Sequence, residues 1–148
     1  MTSNRTILIT GVTGKQGGAV ARALEGTRFN LRGLTRKPDS GPAAALARQG
    51  VEIIKGDLDD EASLRRALAG AWGVFGVQNA GEAGVEREEA QGKRLATLAR
   101  EAGVEHYVYT SVGSADIRAL VLSIGSLRLC RGLVIQELRN GFRILEHC

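Results

Sequence analysis

The chain alternates short apolar runs with segments whose apolar residues recur every three or four positions. Ile7–Thr10 is the first run, a strand by its length and β-branched content, and it feeds directly into Gly11-x-x-Gly14-x-x-Gly17. Over Gln16–Glu25, Val20, Ala23 and Leu24 share one helical face, and Gly26 can stop the helix. Phe29–Leu34 reads as the second strand, broken by Thr35-Arg36-Lys37-Pro38. Ala43–Arg48 is a short helix ending at Gly50, and Val51–Lys55 is the third strand. Asp59 or Asp60 can cap a helix whose apolar face is Leu64, Ala67 and Leu68, with Gly70 past its end. Trp72–Val77 reads as the fourth strand. Val85–Ala102 is the longest helix, burying Leu95, Leu98, Ala99 and Ala102, and Gly103 ends it. Glu105–Thr110 is the fifth strand, followed by Ser111.

Strands separated by helices at this spacing predict an α/β fold, a Rossmann-like doubly wound parallel sheet with helices on both faces. Right-handed crossovers then favour the order 3-2-1-4-5, with ligand at the carboxyl ends of the strands, near the switch point between strands one and four. The Gly11 turn, Arg36, Asp57, Val77–Asn79 and Ser111 all fall at those ends. Five strand ends converging on one crevice carry more weight than any single motif.

Composition narrows the field. The 148 residues, 43% hydrophobic and 24% charged, suit one soluble domain with a real core. No apolar run reaches the roughly 20 residues of a membrane span, and Met1–Thr6 lacks the apolar centre of a signal peptide, so a cytoplasmic protein is expected. Cys130 and Cys148 form neither a metal-ligand spacing nor a disulfide framework. Of the net charge of +4, residues 117–148 contribute +3 through five arginines and two glutamates. The body is thus nearly neutral and has no basic stripe with interleaved aromatics, which argues against direct nucleic-acid binding.

The glycine turn lets backbone approach a pyrophosphate, and the unpaired N–H groups at the helix start favour its charge. Lys15 and Gln16, at that start, can reach the pyrophosphate or the nicotinamide end, or simply face solvent. A site for NAD carries an acid after strand two to hold the ribose 2′-hydroxyl. Here Arg36 and Lys37 stand in its place, with no acid before Asp39, which suits the 2′-phosphate of NADP and leaves NAD as the weaker ligand. Asp57 could accept from the adenine amino group while Leu58 packs on the ring. His106 has no Ser/Asp partner in the pattern and reads as a surface or satisfied strand histidine rather than a catalytic one; His147 is assigned no role.

Six ordered blocks carry a resemblance. Gly11-Val-Thr-Gly-Lys-Gln-Gly-Gly, Arg32-Gly-Leu-Thr-Arg-Lys-Pro, Gly56-Asp-Leu-Asp-Asp, Gly73-Val-Phe-Gly-Val-Gln-Asn, Gln91-Gly-Lys and Tyr107-Val-Tyr-Thr-Ser-Val-Gly resemble the NmrA-like family, atypical members of the short-chain dehydrogenase/reductase superfamily, from about residue 5 to residue 116. The resemblance implies an NADP-binding Rossmann domain over residues 1–116. Its cofactor contacts would carry over to Gly11, Thr13, Gly14, Gln16, Gly17, Arg36, Asp57, Leu58 and Asn79, with Ser111 near the nicotinamide. Several members of the family act as redox sensors or transcriptional co-regulators, and others transfer hydride.

The chain then departs from the pattern. Superfamily reductases use Tyr-x-x-x-Lys, but Lys93 is the last lysine here, so neither Tyr107 nor Tyr109 starts that motif, and the Ser-Lys pair common in the family after strand five is also missing. Residues 117–148 read as a divergent tail, and the chain as truncated before a C-terminal substrate domain. A nucleotide string encoding Thr-Gly-Ile-Glu-His-Trp-Gln-Ser-Lys, a family-like motif, encodes Leu120–Arg128 when read one base later, which fits a frame change; a selected tail is the alternative, and the locus sequence decides. Residues 117–129 could cover strand five and 133–145 could form a helix, and an uncovered edge there would favour self-association or a protein partner. The leading expectation is therefore NADP sensing or regulatory binding. A reductase acting on a quinone-like or small carbonyl substrate stands second, and a non-functional fragment third.

Overall fold

Thr6–Ile9 (β1) lies at the centre of a five-stranded parallel sheet with Asn30–Thr35 (β2), Glu52–Lys55 (β3), Gly73–Val77 (β4) and His106–Thr110 (β5), in the order β3-β2-β1-β4-β5. The structure is a computed structural model and describes residues 4–78, 84–110, 129–130 and 133–134. The helices are Lys15–Ala23 (α1), Gly41–Arg48 (α2), Glu61–Leu68 (α3) and Val85–Glu101 (α4). The expected strand order holds, and the expected element ends are displaced by at most two residues.

A central parallel strand must be apolar on both faces, because helices cover both. Along β1, Ile7 and Ile9 join Val12, Ala21, Leu31 and Leu46 in the layer under α1 and α2. Leu8 points the other way, into Leu34, Leu64, Leu68, Leu95 and Tyr107 in the layer under α3 and α4. The short helices are capped as their sequences dictate. Ser40 Oγ accepts from the Ala43 N–H at the start of α2, and of the two candidate aspartates it is Asp60 that caps α3, accepting from the Ala62 N–H. Arg32 supplies the opposite end of α3: its Nη1 donates to the carbonyls of Ala67 and Ala69, at 2.8 Å each, while its Nε pairs with Glu52.

At the amino edge of the sheet, Phe29, Trp72 and His106 stack in series, with ring centroids 5.7 and 5.2 Å apart and the Arg5 guanidinium 4.5 Å from the Trp72 ring. His106 therefore packs at the edge opposite the crevice, as a strand histidine. In the tail, Leu129–Cys130 (β6) and Leu133–Val134 (β7) pair antiparallel, Cys130 opposite Leu133. The helix expected over 133–145 thus does not begin at 133, because Leu133 and Val134 pair as a strand. The remainder of 117–148 lies outside the described residues.

Candidate functional site

The carboxyl edge of the sheet is organised by Thr10, which follows β1. Its N–H donates to the Phe75 carbonyl at 3.0 Å, and its hydroxyl accepts from the Val77 N–H at 2.8 Å and donates to the Val77 carbonyl at 3.0 Å. This stitches β1 to β4 at the point where chain order reverses, the ligand crevice of doubly wound sheets. A fully buried hydroxyl is satisfied here by the N–H and the carbonyl of one residue on the neighbouring strand.

From Thr10 the chain turns through Gly11, whose φ of 56° is left-handed and suited to glycine. The Gly14 N–H donates to the Gly11 carbonyl at 2.9 Å, and α1 begins at Lys15. A Cβ on Gly17 would lie 2.3 Å from the Gly11 carbonyl oxygen, so only glycine lets the first turn of α1 pack on the loop. Gly14, the N-cap, has no side chain to bond the first amides, and no acid stands in the first turn. Gly17 and Gly18 are buried, while Thr13, Gly14, Lys15 and Gln16 are exposed. The result is a glycine cradle at the positive end of a helix, opening where an anion would meet backbone N–H groups first.

The neighbouring strands add side chains along the same edge. Arg36 and Lys37 are exposed just beyond β2, after a turn in which Thr35 Oγ1 accepts the Lys37 N–H at 3.2 Å. Beyond β3, Ser63 Oγ accepts the Asp57 N–H at 3.0 Å and lies 2.9 Å from the Asp60 carbonyl, to which it donates. Asp57 Oδ1 is engaged by the Asp59 N–H at 2.9 Å, leaving its second oxygen for another donor. Leu58 is half-buried, packed against the α3–α4 layer of the core. Asn79 and Ser111 lie outside the described residues.

Asp59, offered by sequence as a cap, instead fastens α4 to the β3–α3 loop. Its Oδ2 accepts from Arg87 Nε at 2.8 Å and Gln91 Nε2 at 2.9 Å, and Arg94 Nη1 donates to the Leu58 carbonyl at 2.7 Å. The Arg87 hydrogen bond, helped by Gln91 and opposed by partial burial, holds the Asp59 carboxyl below the ordinary carboxylate range. Thr10, Ser63 and Asp59 were not readable as site-building residues. The only signals are a hydroxyl at a strand end and one in a first helical turn.

Glu88, buried in the first turns of α4, behaves oppositely: burial pushes its carboxyl above the usual range. A folded pKa above the unfolded one means that the native state holds the proton more tightly. Its favourable contribution is complete below the ordinary glutamate range and is lost as pH rises through the folded value. Glu88→Gln is expected to melt above the parent chain at about pH 7 and level with it at about pH 3, measured by thermal denaturation. A lower melting temperature at neutral pH would show that the charged carboxylate is stabilising.

Among the described residues, no three His, Cys, Asp or Glu side chains are grouped to hold a metal ion, and no helix is long and apolar enough to cross a membrane. The NmrA-like family model matches residues 3–121. The chain is 40% identical over 114 residues to the NmrA-like family domain-containing oxidoreductase hkm9 of Aspergillus hancockii, covering 74% of this chain and 34% of that protein. Among solved structures it resembles Nmra, a negative transcriptional regulator in complex with NAD, with TM-score 0.67, 26% identity and coverage of 77% and 35% of the two chains. It also resembles the NADPH-dependent quinone oxidoreductase QOR2 of Escherichia coli complexed with NADPH, with TM-score 0.65, 28% identity and coverage of 82% and 46%. The chain spans about a third of the length of the curated relatives it matches.

Proposed function

The chain belongs to the NmrA-like family, and from that premise we propose that it binds a nicotinamide dinucleotide across the carboxyl edge of its sheet, NADP in preference to NAD. The observation that carries the reading is the glycine cradle at α1, where a side chain on Gly17 would fill the space and no acid opposes an anion. Gly11, Gly14 and Gly17 would meet the pyrophosphate through backbone, assisted by Thr13, Lys15 and Gln16. Arg36, with Lys37 behind it, would grip the 2′-phosphate. Asp57 and Leu58 would border the adenine, and Asn79 and Ser111 the nicotinamide half. Residues 1–116 would form the binding unit.

Bound nucleotide would supply hydride chemistry, and the chain would supply orientation and charge. We assign it a sensing or regulatory role. Tyr107, fully buried on the α4 side of β5, has its hydroxyl pushed far up by burial, so it is no proton donor for a ligand at the sheet edge. A reductase acting on a quinone-like or small carbonyl substrate is the second reading, supported by the oxidoreductase names of its relatives; steady NADPH oxidation with a quinone would favour it.

Calorimetric titration with NADPH and NADH in parallel tests the binding reading. Saturable NADPH binding is expected, tighter than NADH. Arg36→Ala should weaken NADPH by on the order of tenfold or more, the worth of a charge-assisted contact, and leave NADH unchanged. Equal loss for both nucleotides would refute the 2′-phosphate role, and no binding of either by folded protein would refute the function.

A further inference from the structure

The peptide between Leu58 and Asp59 is gripped at both of its polar atoms. Its carbonyl, on Leu58, accepts from Arg94 Nη1 of α4 at 2.7 Å, and its N–H, on Asp59, donates to Asp57 Oδ1 at 2.9 Å. A trans peptide unit is planar, with its N–H and C=O on opposite sides, so it turns only as a whole. Rotating the N–H away from Asp57 would therefore pull the carbonyl off the Arg94 guanidinium. A carbonyl that accepts from a cation is also polarised, which strengthens the bond its own N–H makes. The Asp59 side chain secures the same unit a second time: its Oδ2 accepts from Arg87 Nε at 2.8 Å and Gln91 Nε2 at 2.9 Å, both on α4. The half-buried Asp57 carboxylate is thus oriented by a peptide that α4 holds in place.

A carboxylate with one oxygen engaged presents the other in a fixed direction. The 6-amino group of adenine is a donor on the ring edge, and it rewards an acceptor only when the two are in line. A 6-oxo purine puts an acceptor there instead, which faces a carboxylate unfavourably. We propose that Arg94 and Asp59 are positioning residues for base recognition: through the Leu58–Asp59 peptide they aim the second oxygen of Asp57 at the adenine amino group, so that α4 sets the preference for adenine over 6-oxo purines. This rests on the dinucleotide reading above, in which Asp57 borders the adenine.

Calorimetry with NADPH and its hypoxanthine analogue, in which oxygen replaces the 6-amino group, reads the role as a ratio of affinities. The parent chain should prefer NADPH by about tenfold or more, the worth of a hydrogen bond to a charged acceptor. Arg94→Met keeps the aliphatic length without a donor. It should weaken NADPH by about fivefold to tenfold and leave the analogue within about twofold, and Arg94→Lys, which restores a cationic donor, should recover most of the preference. Equal weakening of both nucleotides would make Arg94 a merely structural residue and overturn the proposal, as would an unchanged NADPH affinity. Asp57→Ala separates the positioning role from the contact it serves. If that variant loses the preference while Arg94→Met keeps it, the positioning role fails and the adenine contact stands. If the parent shows no preference, or if the folded parent binds neither nucleotide, both fall. Asp59→Asn, which keeps the size of the side chain and weakens the hold of Arg87, should show the same selective loss and serves should Arg94→Met not fold.

Discussion

Gly17→Ala is expected to cost about 3 kcal/mol of stability and to reduce NADPH affinity on the order of a hundredfold. The new Cβ would stand 2.3 Å from the Gly11 oxygen, 2.7 Å from its carbonyl carbon and 3.0 Å from the Thr10 oxygen. All three are backbone atoms, so no side chain can rotate aside. Either α1 tilts away from β1, opening the layer that contains Val12 and Ala21, or the turn moves and its N–H groups leave the phosphate. Urea denaturation measures the first loss and calorimetry the second. Gly41→Ala is the control, because nothing lies within 4 Å of the added carbon and its backbone is not left-handed. It should be neutral or slightly stabilising in a helical first turn. A Gly17→Ala protein with parental stability and NADPH affinity would show that the close contact does not constrain the loop.

Leu64→Ala should be the most damaging of the core truncations in α3, destabilising by about 2–5 kcal/mol. Leu64 is fully buried beneath the sheet with Leu8, Leu34, Leu68 and Leu95. The α3 helix has eight residues and cannot hold itself together without tertiary packing. Its loss would also loosen the loop in which Ser63 holds Asp57, so adenine binding should weaken alongside stability. For a domain whose total stability is about 5–15 kcal/mol, such a change brings unfolding within easy reach. The expected result is a lower urea midpoint with an unchanged slope. A destabilisation under about 0.5 kcal/mol would mean that the core collapses around the cavity.

Much of the architecture was legible because it rests on local periodicity. Ile7-Leu8-Ile9 is apolar at every position, the mark of a strand covered on both faces, and Leu8 and Ile9 do point into separate core layers. Leu64, Ala67 and Leu68 mark one helical face, and all three are buried. Element ends drift by a residue or two because they depend on hydrogen bonds from other strands; Thr10 reads as the end of β1 but turns to bond Phe75 and Val77. The pairing of Leu129–Cys130 with Leu133–Val134 is not legible in the sequence because apolar runs this short suit either element, and pairing rather than period decides between them.

The strand–turn–helix order, the parallel sheet with β1 central, and a glycine turn, Arg36 and Asp57 at strand ends follow from the order of residues alone, because periodicity, right-handed crossover and turn chemistry act over short distances. Which polar groups meet depends on the folded arrangement. Thr10 is joined to Val77 across 67 positions, Arg87 to Asp59 across 28, and Arg32 to Ala67 across 35. The same closure leaves Gln78 buried without a hydrogen-bond partner among the described residues while its neighbour Val77 faces the glycine turn. A hydrogen bond depends on the placement of two groups to within fractions of an ångström, and residues far apart in the chain acquire that placement only when the sheet and its two helical layers have closed around them.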